Sequence, residues 1–188
     1  MPRSGRRPHP PCETEFVSWA AANPIVRPET TADHAAIRAV TEAAFGRPDE
    51  ADLVDNLRRE SAVLRSLVAE MGGQVVGHIL FTRMWIDHTG GSTAAVALAP
   101  MAVLPSWQRQ GVGGQLIRAG LDSLRAHGER IVIVLGHPDY YPRFGFSVEK
   151  ACCLASPFPP EAYMALELTA GALSGVRGTV RYAAAFGL

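Results

Sequence analysis

Residues 101–117 have the sequence MAVLPSWQRQGVGGQLI. An apolar strand is predicted to end at Val103, shortly before Pro105, and a helix is predicted to begin at about Gln110. Three glycines then fall in the first turn of that helix: Gly111, Gly113 and Gly114. Because a glycine within a helix costs about 1 kcal/mol relative to alanine, three of them at one strand-to-helix junction indicate a specific requirement.

The glycines can leave the start of this helix open to a phosphate group. The first backbone N–H groups of a helix lack intrahelical acceptors and lie at the positive end of the helix dipole. With no side chains in the way, a pyrophosphate can contact these N–H groups directly, and Arg109 can add a charge-assisted hydrogen bond. The alternative interpretation is that the glycines serve only close packing or a tight turn.

Two common phosphate-binding motifs do not fit this stretch. A Walker P-loop requires a lysine followed by serine or threonine directly after the glycines, and no lysine is present there. A Rossmann fingerprint requires a glycine at the sixth position counted from Gly111, and that position is Leu116. Neither motif therefore accounts for the three glycines.

Hydrophobic periodicity on both sides of this stretch predicts an α/β (α+β) domain. The elements predicted before it are a strand at 25–27, a helix from Thr30 or Thr31 to Phe45 with Phe45 facing inward, a helix at 49–61, and strands at 67–71, 74–87 and 93–103. The elements predicted after it are a helix ending at His127, a strand at 131–135, a helix or turn at 139–144, and strands at 146–148, 163–168 and 178–183. Val112, Leu116, Gly120 and Leu124 recur at helical spacing and predict the buried stripe of the long helix.

The run Gln108-Arg109-Gln110-Gly111-Val112-Gly113 matches the pattern Gln/Arg-x-x-Gly-x-Gly/Ala. Together with the order of elements over residues 24–168, it resembles the coenzyme A pyrophosphate signature of the GNAT acetyltransferase superfamily. The resemblance implies a mixed, mostly antiparallel central sheet, flanked by helices and splayed between its fourth and fifth strands. It also implies acetyl-CoA as cosubstrate, with the diphosphate bound by Gln108, Arg109, Gln110, Gly111, Val112, Gly113 and Gly114.

The same resemblance assigns a role to the end of the strand before the glycines. In that superfamily this strand end pairs through its backbone with the pantetheine arm of the cofactor, which here implies Met101, Ala102 and Val103. Pro100 is poorly suited to an interior strand and predicts a bulge at Ala99–Pro100 that would help to part the strands. A local kink without a role in ligand binding is the alternative.

A second motif is Tyr141-Pro-Arg-Phe-Gly-Phe, residues 141–146. It resembles the Tyr-x-x-x-Gly-Phe pattern of GNAT proteins, which implies that the Tyr141 hydroxyl lies near the sulfur of coenzyme A and assists departure of the thiolate. A thiol has a pKa of about 8.5 and a phenol about 10, so complete proton transfer is uphill by about 2 kcal/mol and a hydrogen bond suffices. Packing is the alternative role for Tyr141, and Tyr140 is predicted to serve packing or a substrate-side contact.

The general base is not identified by the sequence. Many relatives use a carboxylate on the strand before the glycines, but residues 93–103 contain no acidic residue. The nearest candidates on neighbouring strands are Glu70, His78 and Asp87, for each of which a structural role is the stronger interpretation. The family also often places an asparagine before the tyrosine, whereas the loop at 136–139 is Gly-His-Pro-Asp.

Composition gives no indication of nucleic-acid or membrane binding. The chain has 188 residues, with 18 basic and 18 acidic side chains. The only local basic excess is Arg3, Arg6 and Arg7, and no apolar run reaches the roughly 18 residues that a membrane-spanning helix needs. Three cysteines, of which Cys152 and Cys153 are adjacent, have no metal-ligand spacing and favour a reducing, cytoplasmic compartment.

The sequence thus predicts an N-terminal extension at 1–23, rich in proline and polar residues, and an acetyltransferase domain at 24–188. The predicted function is acetyl transfer from acetyl-CoA to an amine of a small molecule or protein by direct attack, without a metal. One alternative is a non-catalytic acyl-CoA-binding or sensing module. Another is a nucleic-acid-binding domain, for which the arginine-rich leader is the only support. A homodimer is possible because sheet edges near the C-terminus need cover.

Overall fold

The computed structural model of the protein describes residues 23–188, so that the extension predicted at 1–23 lies outside the described residues except for Asn23. The strands are β1 (Ile25–Pro28), β2 (Val63–Met71), β3 (Gln74–His88), β4 (Gly91–Val103), β5 (Ile131–Leu135), β6 (Leu154–Ala155), β7 (Tyr163–Glu167) and β8 (Gly178–Arg181). The α-helices are α1 (His34–Phe45), α2 (Asp49–Arg59), α3 (Val112–Ala126) and α4 (Val148–Ala151). No helix among these is long and apolar enough to cross a membrane.

The strands form one mixed sheet in the order β1-β2-β3-β4-β5-β7. Neighbours along this path are antiparallel, except that β4 and β5 are parallel. The β8 strand pairs with the end of β3 that extends beyond β2, and β6 pairs with β8. This arrangement confirms the predicted α/β class with a mostly antiparallel sheet.

The β4 and β5 strands part halfway along β4. Their parallel pairing runs from Val96 opposite Val132 to Leu98 opposite Val134, whereas β4 continues to Val103. On its other side β4 pairs with β3, where Leu98 lies opposite Phe81 and Met101 lies opposite Ile79. Three steps along β4 therefore correspond to two steps along β3. The extra residue is a β-bulge at Ala99–Pro100, as predicted, and the gap opens on the β5 side directly beyond it.

Helix α3 covers one face of the sheet with a continuous apolar stripe. Four of its buried residues are those whose spacing predicted the stripe: Val112, Leu116, Gly120 and Leu124. Ile117 and Leu121 are buried beside them. Each buried aliphatic side chain contributes about 1.5–3 kcal/mol. A Cβ atom on Gly120 would collide with the ring of Phe81 on β3, so this glycine is required for the close approach of helix and sheet.

The opposite face carries two further clusters of buried side chains. One lies under α1 and α2 and includes Ile37, Val40, Val54 and Leu57. The other is formed by residues of β4, β5 and β7, such as Ala97, Ile133 and Ala165, and is covered by residues near the C-terminus, such as Val180. The predicted threonine cap does not belong to α1 itself, whose N-cap is Asp33. Thr30 is the N-cap of a 3₁₀ turn, Thr31–Asp33, that leads into the helix, and its hydroxyl and N–H both donate to Asp33.

Two local predictions are wrong. Phe45 ends α1 with 41% of its surface exposed, because the chain turns at Gly46 before the helix can bury its last residue. Residues 146–148 do not form a strand. Only Ser147 bridges to Ala165, and its hydroxyl accepts a hydrogen bond from the N–H of Lys150 and so caps α4.

Candidate active site

Residues 108–114, which end the connection from β4 and form the start of α3, make up a segment that we name the glycine turn. Gly111 is the N-cap of α3 and has a φ of +89°, and Arg109 also has a positive φ, of +60°. A Cβ atom on Gly111 would meet nothing within 4 Å. Gly111 is therefore required for its left-handed backbone and not for lack of space, so the tight-turn interpretation accounts for this one glycine.

Gly113 is required for space, whereas a Cβ atom on Gly114 would make only a tight contact with a flexible side chain and ordinary contacts otherwise. A Cβ atom on Gly113 would lie 2.8 Å from the Tyr140 hydroxyl oxygen and 3.5 Å from Cε of Met101. One on Gly114 would lie 3.3 Å from Nη1 of Arg118 and 3.6 Å from Cζ of Phe144. The surface of the first helical turn is thus backbone, with polar and aromatic side chains around it.

The N–H groups of this first turn are the donors that a helix start leaves free. The earliest α-helical hydrogen bond at this end runs from the N–H of Gln115 to the carbonyl of Gly111. The N–H groups of Val112, Gly113 and Gly114 precede it and have no acceptor one turn earlier. They lie at the positive end of a 15-residue helix, an arrangement suited to an anion.

The two glutamines of the glycine turn hold its shape. The Gln108 side-chain amide donates to the carbonyl of Val103 at 3.0 Å, and that of Gln110 donates to the carbonyl of Ser106 at 2.8 Å. Because both amides are engaged with the backbone, these residues brace the turn between β4 and α3. A role for either in contacting the cofactor stays a prediction.

The end of β4 forms one wall of the gap between the strands. Met101 and Ala102 pair with Ile79 and His78 of β3, and Val103 pairs with Gly77. On their other side the pairing with β5 has already ended at Leu98. Backbone N–H and C=O groups of residues 99–103 that point away from β3 therefore have no strand beside them, as in a sheet edge that can accept an extended ligand.

Tyr141 lies in a 3₁₀ turn, Tyr141–Phe144, that follows β5 across the same gap. Its side chain is only 7% exposed and packs edge-on against Phe146, with ring centroids 5.7 Å apart. The ring occupies the space where a Cβ atom on Gly136 would be. Burial, followed by the neighbouring Tyr140, raises the pKa of Tyr141 to about 12, so the phenol stays protonated in the physiological range.

Tyr140 extends from the same turn toward the start of α3. Its ring packs edge-on against Tyr141 at 5.3 Å, and the guanidinium of Arg143 lies 4.3 Å from its centroid. Burial raises the pKa of Tyr140 as well. Sequence reasoning gave this residue only packing or a substrate-side contact, whereas its hydroxyl lies beside Gly113. The sequence signal that pairs the two residues is Gly113 itself, whose missing side chain leaves room for the phenol.

Two of the candidate bases are held in ion pairs away from the gap. Glu70, on β2, accepts from Arg27 at 2.8 Å. Asp87 lies at the far end of the β3–β4 hairpin, where Arg181 at 2.7 Å and Ser92 lower its pKa to about 2. Since each carboxylate already has a partner, neither is placed to accept a proton from an amine between β4 and β5.

His78 is fully buried on the α1 and α2 side of β3. Its Nε2 lies 2.8 Å from Oγ of Ser66, which in turn donates to Glu29. Burial raises the pKa of Glu29, but hydrogen bonds from His78, Arg58 and Ser66 outweigh it and hold that pKa well below its usual range. Burial lowers the pKa of His78, so the ring is neutral, and Nδ1 has no hydrogen-bond partner within residues 23–188.

This geometry is that of an acetyltransferase of the GNAT class, and the comparisons with known proteins agree. Residues 25–148 match the family model described as "Acetyltransferase (GNAT) domain". The chain belongs to the GNAT acetyltransferase family.

Two relatives and two solved structures illustrate the membership. The chain is 47% identical over 116 residues to YjhQ of Escherichia coli, named an uncharacterized N-acetyltransferase, and the match covers 61% of this chain and 64% of the relative. It is 35% identical over 161 residues to the E. coli YhbS, with the same description, covering 84% and 95%. The crystal structure of YhbS in complex with CoA has a TM-score of 0.82 at 34% identity, covering 89% and 94%. A GNAT family acetyltransferase from Brucella melitensis in complex with acetyl-CoA has a TM-score of 0.73 at 39% identity, covering 87% and 97%.

Proposed function

We propose that the protein transfers the acetyl group of acetyl-CoA to an amine by direct attack on the thioester. The observation that carries the proposal is the parting of β4 from β5 beside the glycine turn, with a protonated tyrosine across the gap. Relatives that share 34% and 39% of their residues with this chain bind CoA and acetyl-CoA, which supports the same cosubstrate here.

In this proposal the diphosphate lies on the glycine turn. The N–H groups of Val112, Gly113 and Gly114 donate to its oxygens, and Arg109 adds its positive charge from the preceding turn. Gln108, Gln110 and Gly111 contribute by fixing the backbone in the geometry described above. Charge-assisted hydrogen bonds of this kind contribute about 1.5–3 kcal/mol each.

The pantetheine arm then extends along the unpaired edge of β4 at Met101, Ala102 and Val103. Strand-like pairing with this edge holds the thioester at the bulge, where backbone N–H groups can polarise its carbonyl. Such donors contribute about 3–4 kcal/mol each in other acyl-transfer enzymes. The amine nitrogen forms the new bond to the carbonyl carbon, the C–S bond breaks, and the electron pair leaves with sulfur.

Tyr141 donates a hydrogen bond to the departing sulfur. Its pKa of about 12 lies some 3.5 units above that of a thiol, so complete proton transfer would be uphill by about 5 kcal/mol. A hydrogen bond that strengthens as charge develops on sulfur avoids this cost. The attacking amine loses its proton to water, since Glu70, His78 and Asp87 are engaged elsewhere.

The alternative from another class is a non-catalytic module that binds acyl-CoA as a ligand or signal. The non-catalytic module is favoured by the partners that Glu70, His78 and Asp87 already have, since none of them is left as a general base. The enzyme is favoured by the position of Tyr141 across the gap. Release of CoA thiol from acetyl-CoA, measured against a chemically diverse library of amines and amine-bearing peptides, discriminates between the two. Turnover with any amine above the rate of hydrolysis supports the enzyme, and tight acetyl-CoA binding without turnover supports the module.

We further propose that residues 24–188 form the acetyltransferase domain and that the protein is cytoplasmic. The first part is supported by the position of β1, which begins at Ile25 and pairs with β2 as the outer strand of the sheet. The second is supported by the cysteine content, since three cysteines, two of them adjacent, do not form the paired framework typical of secreted proteins.

A further inference from the structure

Two thiols lie side by side on the turn between α4 and β6. These are the side chains of Cys152 and Cys153, and their sulfur atoms are 3.6 Å apart. Cys152 is exposed and Cys153 is partly exposed, so solvent reaches the pair. Neither residue belongs to the glycine turn or to the gap between β4 and β5, and the proposed acetyl transfer does not use them.

The backbone of this turn is anchored on both sides. Ala151 before it and Leu154 after it are buried, with 4% and 7% of their surfaces exposed. The N–H of Gly178, at the start of β8, donates to the carbonyl of Cys153 at 3.3 Å. The fold therefore holds both cysteines on one short turn, and their thiols need not be brought together from separate segments.

A direct bond between the two sulfur atoms is disfavoured. The peptide bond that joins Cys152 to Cys153 is trans, which places their Cα atoms about 3.8 Å apart. Ordinary disulfides join Cα atoms that are about 4.4–6.8 Å apart. The pair is consequently better suited to share one larger atom than to form a disulfide.

The observed spacing fits a single atom bonded to both sulfurs. With bonds of about 2.3 Å, the usual length of a zinc–thiolate bond, a span of 3.6 Å corresponds to an angle of about 100° at the shared atom. Such an angle is typical of pyramidal or tetrahedral centres and is far from the linear arrangement of two-coordinate ions.

The number of ligands distinguishes between these centres. A tetrahedral zinc site normally takes at least three protein ligands. In the part of the chain that the structure describes, no group of three or more His, Cys, Asp or Glu side chains could hold a metal ion. Trivalent arsenic forms only three bonds, so two thiols and one hydroxyl or organic substituent complete its valence.

The protonation of the thiols agrees with this choice. The hydrogen bond with Cys153 raises the pKa of the Cys152 thiol, and the charge of Arg177 opposes this effect. A divalent cation would have to displace the protons of both thiols. A hydroxide of arsenic instead removes each proton together with a hydroxyl group, as water.

We propose that Cys152 and Cys153 form a binding site for trivalent arsenic compounds of the type R–As(OH)₂, where R is a hydroxyl or an organic group. Two As–S bonds form and two As–O bonds break, and the two thiol protons leave with the two hydroxyls as water. Arsenic stays trivalent throughout, so no oxidant or reductant is needed. The inference is independent of the proposed function.

The test uses the full chain with Cys12→Ser, which removes the third cysteine, and phenylarsine oxide as the probe. Intact mass should show one phenylarsenic group per chain, and a thiol reagent should then detect no free thiol. Adding Cys152→Ser or Cys153→Ser to this background should weaken binding by about 10²-fold or more, because the second As–S bond is intramolecular only in the pair. The wild-type protein is the matched control and should bind as tightly as Cys12→Ser.

Urea unfolding tests whether the fold presents the pair. If the folded chain binds the probe about tenfold more tightly than the unfolded chain, saturating probe raises the free energy of unfolding by about 1.4 kcal/mol. The midpoint should move to higher urea for Cys12→Ser and stay in place when Cys152→Ser is added.

Three outcomes overturn the inference. The first is equal affinity of Cys12→Ser and of either variant that retains a single thiol. The second is a wild-type adduct that maps to peptides without residues 152 and 153, a measurement that requires no variant to fold. The third is a urea midpoint of Cys12→Ser that the probe leaves unchanged or lowers. None of these outcomes bears on acetyl transfer.

Discussion

The hydroxyl oxygen of Tyr140 lies 2.8 Å from the position that a Cβ atom would take on Gly113. A real Cβ atom at that distance would force one of the two groups to move. The phenol and the glycine backbone thus fit together at the start of α3, on the surface where the diphosphate is proposed to bind. The short distance explains why position 113 needs a glycine, and substitutions at 113 and 140 can test the contact.

Gly113→Ala is expected to lower acetyl-CoA affinity by about tenfold, because the overlap moves the phenol across the N–H groups and returning it on binding would cost about 1–3 kcal/mol. The measurement is calorimetric titration with acetyl-CoA. Tyr140→Phe in the Gly113→Ala background removes the overlapping oxygen and should restore most of the affinity. If the second substitution restores nothing, the phenol is not the obstacle.

Gly111→Ala is expected to act on stability. Its φ of +89° costs an L-residue about 1–2 kcal/mol, while a Cβ atom there would meet nothing. The free energy of unfolding, measured in urea, should fall by that amount, and by less for Gly111→Asn. Gly90→Ala, in an exposed turn without a positive φ, is the control and should change it by less than about 0.5 kcal/mol. Equal effects of the alanine substitutions at 90 and 111 would show that the backbone conformation is not responsible.

Tyr141→Phe should lower the turnover number by about 10²-fold while the dissociation constant of acetyl-CoA stays the same. The ring, which fills the space beside Gly136, is retained, and only the hydrogen bond to sulfur is lost. Because the pKa of Tyr141 is raised to about 12, ionisation of this phenol should not limit the wild-type rate below about pH 11. Wild-type turnover in the variant would remove Tyr141 from the chemistry and assign it to packing.

Glu29→Gln should lower the free energy of unfolding at pH 7 by about 1–3 kcal/mol, since Glu29 accepts from Arg58 at 2.7 Å and from Ser66 under α2. The folded-state pKa of Glu29 lies below the unfolded value of about 4.3. The stability that ionised Glu29 contributes is therefore present above about pH 4.3 and is lost as the pH falls toward its folded-state pKa. The free energy of unfolding of Glu29→Gln should consequently fall less in acid than that of the wild-type protein.

Urea unfolding at several pH values between 3 and 7 measures this difference. Glu42→Gln is the matched control, since Glu42 is partly exposed on α1 and, among the described residues, forms an ion pair with Arg38 alone; it should leave the pH profile of the wild-type protein in place. Parallel profiles for wild type and Glu29→Gln would contradict the assignment of acid sensitivity to Glu29.

Much of the fold was predictable because its signals are local. The apolar stripe of α3, the glycine pair of the β2–β3 hairpin and the strand at 131–135 each depend on periodicity or turn chemistry within one segment. Phe45 and the segment 146–148 are predicted wrongly because the chain reverses at Gly46 before Phe45 can pack, and because Ser147 caps α4 instead of continuing a strand.

The sequence by itself determined the family, the glycine turn, the bulge at Ala99–Pro100 and the tyrosine motif, since each is a contiguous run whose residue types restrict backbone dihedral angles or hydrogen-bonding capacity. Only the tertiary structure decided that Tyr140 meets Gly113, that Arg118 and Phe144 lie beside Gly114, and that Glu70, His78 and Asp87 already have partners. These contacts join α3, the sheet and the turn after β5. They follow from how the helix packs on the strands, which periodicity within one segment does not specify.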